Sequence, residues 1–186
     1  MKISIPNLII EFVSVVFAVL LALGLNAYKQ SLDNEATATA LKEAIISECH
    51  QNYLKTDSLL TNNSEYSVLL DSLVQLDSED IPYVPFFYHF ELLTHGAWEA
   101  AQRSNAVQDL DPQFLLDAAD IYHTQQFYTD FAASFFSNVG TFLAHQNSLD
   151  QSNMALAMYY YTGVLNNSVD DLRLKYEEFL DKYESN

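Results

Sequence analysis

Five histidines, one cysteine and a large excess of carboxylates are the side chains of this 186-residue chain that could hold a metal, attack a substrate or move a proton. Their spacing argues against each use. His50, His89, His95, His123 and His145 are dispersed, with no His-Glu-x-x-His and no Cys-x-x-Cys, the patterns that bring ligands onto one helix face or turn. His89 and His95 stand six residues apart, a step that does not repeat a helical face. Gly24, Gly96, Gly140 and Gly163 are too scattered to build a phosphate-cradling loop. Cys49 lies in an apolar helical stripe, the setting of a small core residue rather than a reactive thiol. The expectation is no catalytic residue, no metal and no cofactor.

Carboxylates are abundant, and abundance is not a site. Glu91, Glu99 and Asp109 could line an acidic cleft around Trp98, although a solvated helix face accounts for them more simply. Arg103 follows Glu99 by four residues, which predicts an ion pair on one helix. Phe86, Phe87, Tyr88 and Trp98 form a candidate aromatic patch, and the segments YVPFFYHF and MYYY carry more ring surface than a peripheral loop needs. Such rings can fill a core, meet the bilayer interface or contact a protein.

Residues 5–28, IPNLIIEFVSVVFAVLLALGLNAY, are apolar except for Glu11 and a few small polar groups. A helix rising about 1.5 Å per residue crosses a hydrocarbon core of about 30 Å in roughly 20 residues. The segment is too long for a signal peptide and carries an acid where a basic start is expected. Steps of three and four residues place Glu11, Ser14, Ala18, Ala22 and Asn26 on one stripe, the small and polar face that helix packing in lipid requires. Glu11 is costly inside a span unless it meets protein or water. Lys2 on one side and Lys29 on the other give a near tie by the positive-inside rule, resolved toward the N-terminus inside and the C-terminal domain in the periplasm or outside the cell.

Residues 29–186 then form one acidic domain. A net charge of −17 repels phosphate backbones and anionic headgroups, which excludes nucleic acid as a partner. Twelve tyrosines and twelve phenylalanines supply the area of a real core.

The elements follow from punctuation and period. Lys29 to Asp77 holds no Gly or Pro and reads as one or two long helices, continuous with the span; Leu41, Ile45, Cys49, Tyr53, Leu59, Tyr66, Leu69, Leu73 and Leu76 recur at helical spacing. Asn52, Thr56, Asn62 and Asn63 interrupt a clean heptad, so a stalk or first bundle helix is expected rather than a regular coiled coil. Ser78 to Pro82, with Pro85, marks a break, and 86–106 reads as helix again. Asp111-Pro112 is an N-cap followed by proline at the first helical position, starting a helix to about residue 143. Ser148 starts a shorter helix ending near Gly163, and Ser168 starts the last. The fold expected is all-α, a transmembrane helix followed by a long helix and a bundle of four to six helices.

The order of these signals resembles an uncharacterised family of bacterial membrane-anchored proteins. The matching positions are Glu11, the apolar run to Leu21, Ala22-Leu23, Asn26 and Tyr28 in the span; Leu41, Glu48 and Asn52 in the next helix; and Trp98 to Ala106, Leu115 and Ile121-Tyr122 beyond it. The chain departs from the pattern in lacking a basic cluster before the span and in carrying Asn105 where glycine is common. The resemblance implies architecture and no activity.

Two functions remain open. One is a non-enzymatic anchored protein that self-associates or serves as an accessory subunit of a membrane complex, its partners being the bilayer and copies of itself or other membrane subunits. The other is an oligomeric channel or transport component in which Glu11 lines a cation or proton pathway.

Overall fold

The computed structural model describes residues 5–76, 84, 86–144 and 151–184. Helix α1 runs without a break from Ile5 to Val74, a length of about 105 Å at 1.5 Å per residue. Pro6 sits in its first turn, where a missing N–H breaks no helical bond. Helices α2 (Gly96–Arg103), α3 (Pro112–Ala144) and α4 (Gln151–Tyr183) follow, with a 3-10 turn at Asn105–Asp109. Among the described residues every element is helical.

The N-terminal part of α1 is long and apolar enough to cross a membrane. Residues 13–33 are all exposed, so no other described part of the chain covers them. From Ile45 upward the same helix is buried on one seam, at Ile45, Cys49, Asn52, Thr56, Leu59, Asn63, Tyr66, Leu70 and Leu73. Steps alternating between four and three residues are a heptad seam. The other long helices repeat it, α3 through Phe114, Ala118, Ile121, Gln125, Tyr128, Ala132, Phe135 and Val139, and α4 through Ala155, Met158, Thr162, Leu165, Val169, Leu172, Tyr176 and Phe179. Asn52, Thr56 and Asn63 therefore do not interrupt the heptad, as the sequence suggests; they occupy it. Asn62 lies outside, bonded to Ser58.

Helices α1 and α4 are antiparallel. Ile45 and Cys49 pack in one cluster with Leu172, Tyr176 and Phe179, and Leu70 and Leu73 in another with Met154, Ala155 and Met158. Helix α3 lies along α4, with Phe114 against Phe179 at 5.4 Å between ring centres. Asp111 caps α3 by accepting the Phe114 N–H at 2.9 Å, in the manner its sequence predicts.

Two helical expectations are corrected. Residues 86–95 are not helical, and within 86–106 only Gly96–Arg103 and the start of the 3-10 turn at Asn105 are. Val84 and Tyr88 are buried, Phe86 and Phe90 half-buried, Phe87 and His89 exposed, the alternation of a strand. Nor does the chain break between Gly163 and Ser168: α4 is one helix. Ser168 Oγ donates to the Val164 carbonyl one turn earlier, so it caps nothing. The break at residues 78–83 with Pro85, and the helix start at Ser148, lie outside the described residues.

Gly163 is exposed, and an added Cβ there meets nothing within 4 Å. Gly163→Ala is expected to stabilise the protein by about 0.5–1 kcal/mol, because alanine surrenders less backbone entropy in a helix. A Tm unchanged or lowered in thermal melts would contradict a continuous α4.

Candidate functional site

The polar seam residues of α1 organise the centre of the molecule. Asn63 Oδ1 accepts the His89 N–H at 2.7 Å and Asn63 Nδ2 donates to the His89 carbonyl at 2.9 Å. Asn52 does the same to Thr94, accepting at 3.0 Å and donating at 2.7 Å. Each side chain thus takes both backbone groups of one extended residue, as a neighbouring strand would. The spacing fits. From 52 to 63 the helix rises about 16 Å, and from 89 to 94 an extended chain covers about the same. Residues 86–95 are a strap running antiparallel to α1, clasped by two asparagines, with Lys55 Nζ donating to the Leu92 carbonyl at 2.8 Å between them.

Helices α3 and α4 join at the lower clasp. Gln125 Nε2 donates to the same Thr94 carbonyl at 3.0 Å, and the Tyr176 hydroxyl donates to Gln125 Oε1 at 2.6 Å. Asn52, Gln125 and Tyr176 are all buried. Near the upper clasp the Tyr88 hydroxyl donates to Asn166 Oδ1 at 2.7 Å, and Asn166 Nδ2 donates to Ser67 Oγ at 2.8 Å. The strap therefore fills the groove that α1 and α3 leave open, and it touches all three long helices. Buried polar groups satisfied from several elements specify one packing arrangement.

One turn below Asn52, Glu48 accepts the Tyr122 hydroxyl at 2.6 Å and the Ala97 N–H at 3.1 Å. A carboxylate on a free N–H at a helix start satisfies an orphan donor and opposes the helix dipole. Trp98 stacks on Tyr122, ring centres 5.4 Å apart and 7° from parallel. Burial pushes the Cys49 thiol up to about 12; a contact to the Tyr122 hydroxyl lowers it and the Glu48 charge raises it. Burial, then the neighbouring Cys49 and Glu48, raises Tyr122 far above a normal phenol. The thiol and the phenol stay protonated, which leaves no nucleophile here.

Outside this cluster a groove of about 1140 Å³ opens between α1, α2 and α3, lined by Glu48, Thr94, Trp98, Glu99, Tyr122 and Gln125 among others. Glu99 is paired with Arg103 at 3.1 Å, as its spacing predicts, and with His95 at 3.0 Å. Glu91 and Asp109 do not line it. No three His, Cys, Asp or Glu side chains converge into a metal-holding group among the described residues.

The residues singled out in the sequence fall in different places. Ser14, Ala18, Ala22 and Asn26 lie on the exposed N-terminal part of α1. Glu11 belongs to that helix, and its side chain lies outside the described residues. Of the aromatic patch, Phe86 and Tyr88 pack into the upper cluster with Tyr66 and Phe135, Phe87, 53% exposed, meets the same Tyr66 ring at 4.5 Å, and Trp98 joins the lower cluster around Tyr122. Sequence reasoning named Asn52 and Asn63 as interruptions of a heptad, and Asn52 as a position of the resemblance, and missed their role as the strap's anchors together with Gln125 and Tyr176. Their signal is a polar residue in phase with Ile45, Leu59 and Tyr66. The chain matches no family model, no curated protein and no solved structure.

Proposed function

We propose that this chain is a single-pass membrane protein that works without chemistry of its own, as a self-associating scaffold or accessory subunit whose helical domain is held at a fixed height above the bilayer. The observation that carries the reading is the continuity of α1, one helix that is bare over 13–33, apolar as far as Leu25, and buried in a bundle from Ile45. An exposed apolar surface of that length calls for lipid or a partner. A bacterial inner membrane is the setting the resemblance implies, and a periplasmic domain is the side the near tie of Lys2 and Lys29 favours. The resemblance to an uncharacterised family of membrane-anchored proteins supports the architecture: Glu48, Asn52, Trp98 and Tyr122, quoted for it from separate segments, meet around one corner of the bundle.

The test is the mass of the detergent-solubilised full-length protein by native mass spectrometry, beside that of a form starting at Lys29. A defined oligomer for the full-length chain, lost on removing the span, is the expected result. Monomers in both cases exclude self-association and leave an accessory subunit whose partner is sought by pull-down. Cation flux through vesicles, altered by Glu11→Gln with assembly intact, would overturn the reading in favour of a pathway.

A further inference from the structure

Charge is unevenly distributed along this acidic chain. Charged residues make up 18% of it, yet residues 131–169 contain a single Asp, Glu, Lys or Arg, at Asp150. The described part of that stretch is the upper half of α3 and α4, packed with Leu59 to Leu73 of α1. At 1.5 Å per residue it stands about 45 Å or more along α1 from Tyr28, beyond reach of the bilayer.

This half presents rings on its outer side. Phe127 stacks along Phe131, centres 6.4 Å apart, and Phe131 meets Tyr161 at 6.2 Å. Phe127 is 58% exposed, Tyr160 63% and Val164 43%. The lower half of the same two helices differs in kind: it is tied across by Lys175 to Asp120 and Lys182 to Asp117. Asp130, at the rim of the ring-bearing face, accepts a bond from Gln126.

We propose that this distal α3–α4 face docks a second copy of the chain, an inference that rests on the self-association reading above. Two chains of −17 each repel wherever carboxylates oppose, and a face without charge is where they can touch at no such cost. A charged partner would be chosen by the acidic surface elsewhere, which this face lacks. Two anchors in one membrane hold both copies of the face at equal height, so a two-fold axis along the membrane normal pairs it with itself. Shared anchoring also raises the effective concentration, which suits a face of modest area. Exposed aromatic rings between small side chains such as Ser134 and Ala157 suit such a contact.

The experiment measures the dimer dissociation constant of the full chain in detergent and in lipid nanodiscs. Tyr160→Glu and Val164→Glu place a carboxylate on the face at exposed positions, with helix content checked by circular dichroism; Val68→Glu, exposed on α1, is the control. Dissociation is expected to strengthen about tenfold or more for the first two and not for the control. A dimer indifferent to both but dissolved by Ala18→Leu in the span overturns this inference and leaves self-association standing. A monomer at every concentration overturns both.

Discussion

Asn63→Leu is expected to destabilise the protein by about 3 kcal/mol, two unmet backbone hydrogen bonds at about 1–3 kcal/mol each being only partly offset by a new buried side chain. The direction is what makes this informative. Asn63 is fully buried at a heptad position between Leu59 and Tyr66, and a coiled-coil rule predicts that leucine there stabilises. The geometry predicts the reverse, because Asn63 alone meets both the N–H and the carbonyl of His89. Asn62→Leu, one residue away and exposed, should change stability by less than about 0.5 kcal/mol. Urea unfolding of both variants in detergent decides it, and a more stable Asn63→Leu would show that the strap is not held as described. Proteolysis within 86–95 should accelerate in the same variant, since one of the strap's two asparagine clasps is gone.

Above about pH 10 the bundle is expected to unfold in one cooperative step. Tyr66, Tyr88, Tyr122, Tyr128 and Tyr176 are all buried. Burial pushes Tyr66 and Tyr128 up to about 12 and raises Tyr88, Tyr122 and Tyr176 further. A raised phenol favours the neutral form in the folded state, so its contribution is intact below the unfolded value near 10 and is lost as pH climbs through the folded one. Once the unfolded chain sheds protons the folded chain keeps, each group costs about 1.4 kcal/mol per pH unit, and five together cost about 7. Two such units cost about 14 kcal/mol, more than most of the range of about 5–15 kcal/mol by which domains are stable. Circular dichroism and phenolate absorbance followed together should change at one pH; gradual ionisation of the buried phenols with helix retained would contradict the packing.

What the sequence made legible was whatever is written locally. The Asp111-Pro112 start, the Glu99–Arg103 pair and the run of α1 through the span each depend on residues within a turn or two. The strap was not legible, because what extends it lies far away: His89 and Thr94 are bonded by side chains 26 and 42 residues earlier. Phe86 to Leu93 is rich in residues that suit helix or strand alike, and no nearby turn decides between them. Asn52 and Asn63 were read as faults in a heptad for the same reason, since their partners are backbone atoms of another segment. Gly163 and Ser168 looked like helix ends by type, yet seam residues Thr162, Leu165 and Val169 continue across them, and packing outweighs a propensity loss of about 1 kcal/mol. Of the aromatic patch, Phe86, Phe87 and Tyr88 converge on the Tyr66 ring, whereas Trp98, carried by α2, packs on Tyr122.

An unbroken α1 is also a lever. Transmembrane helices lean by about 20° on average, and the lean adjusts to the thickness of the hydrocarbon. From Tyr28 to Leu73 the helix extends about 68 Å, so a 20° lean carries its far end sideways by about 23 Å. In the membrane setting proposed above, a bilayer that thickens and draws the helix upright moves the far end of the bundle by a large part of that distance without altering one bond in it. Lipid composition would then govern the spacing between neighbouring domains, through mechanics alone.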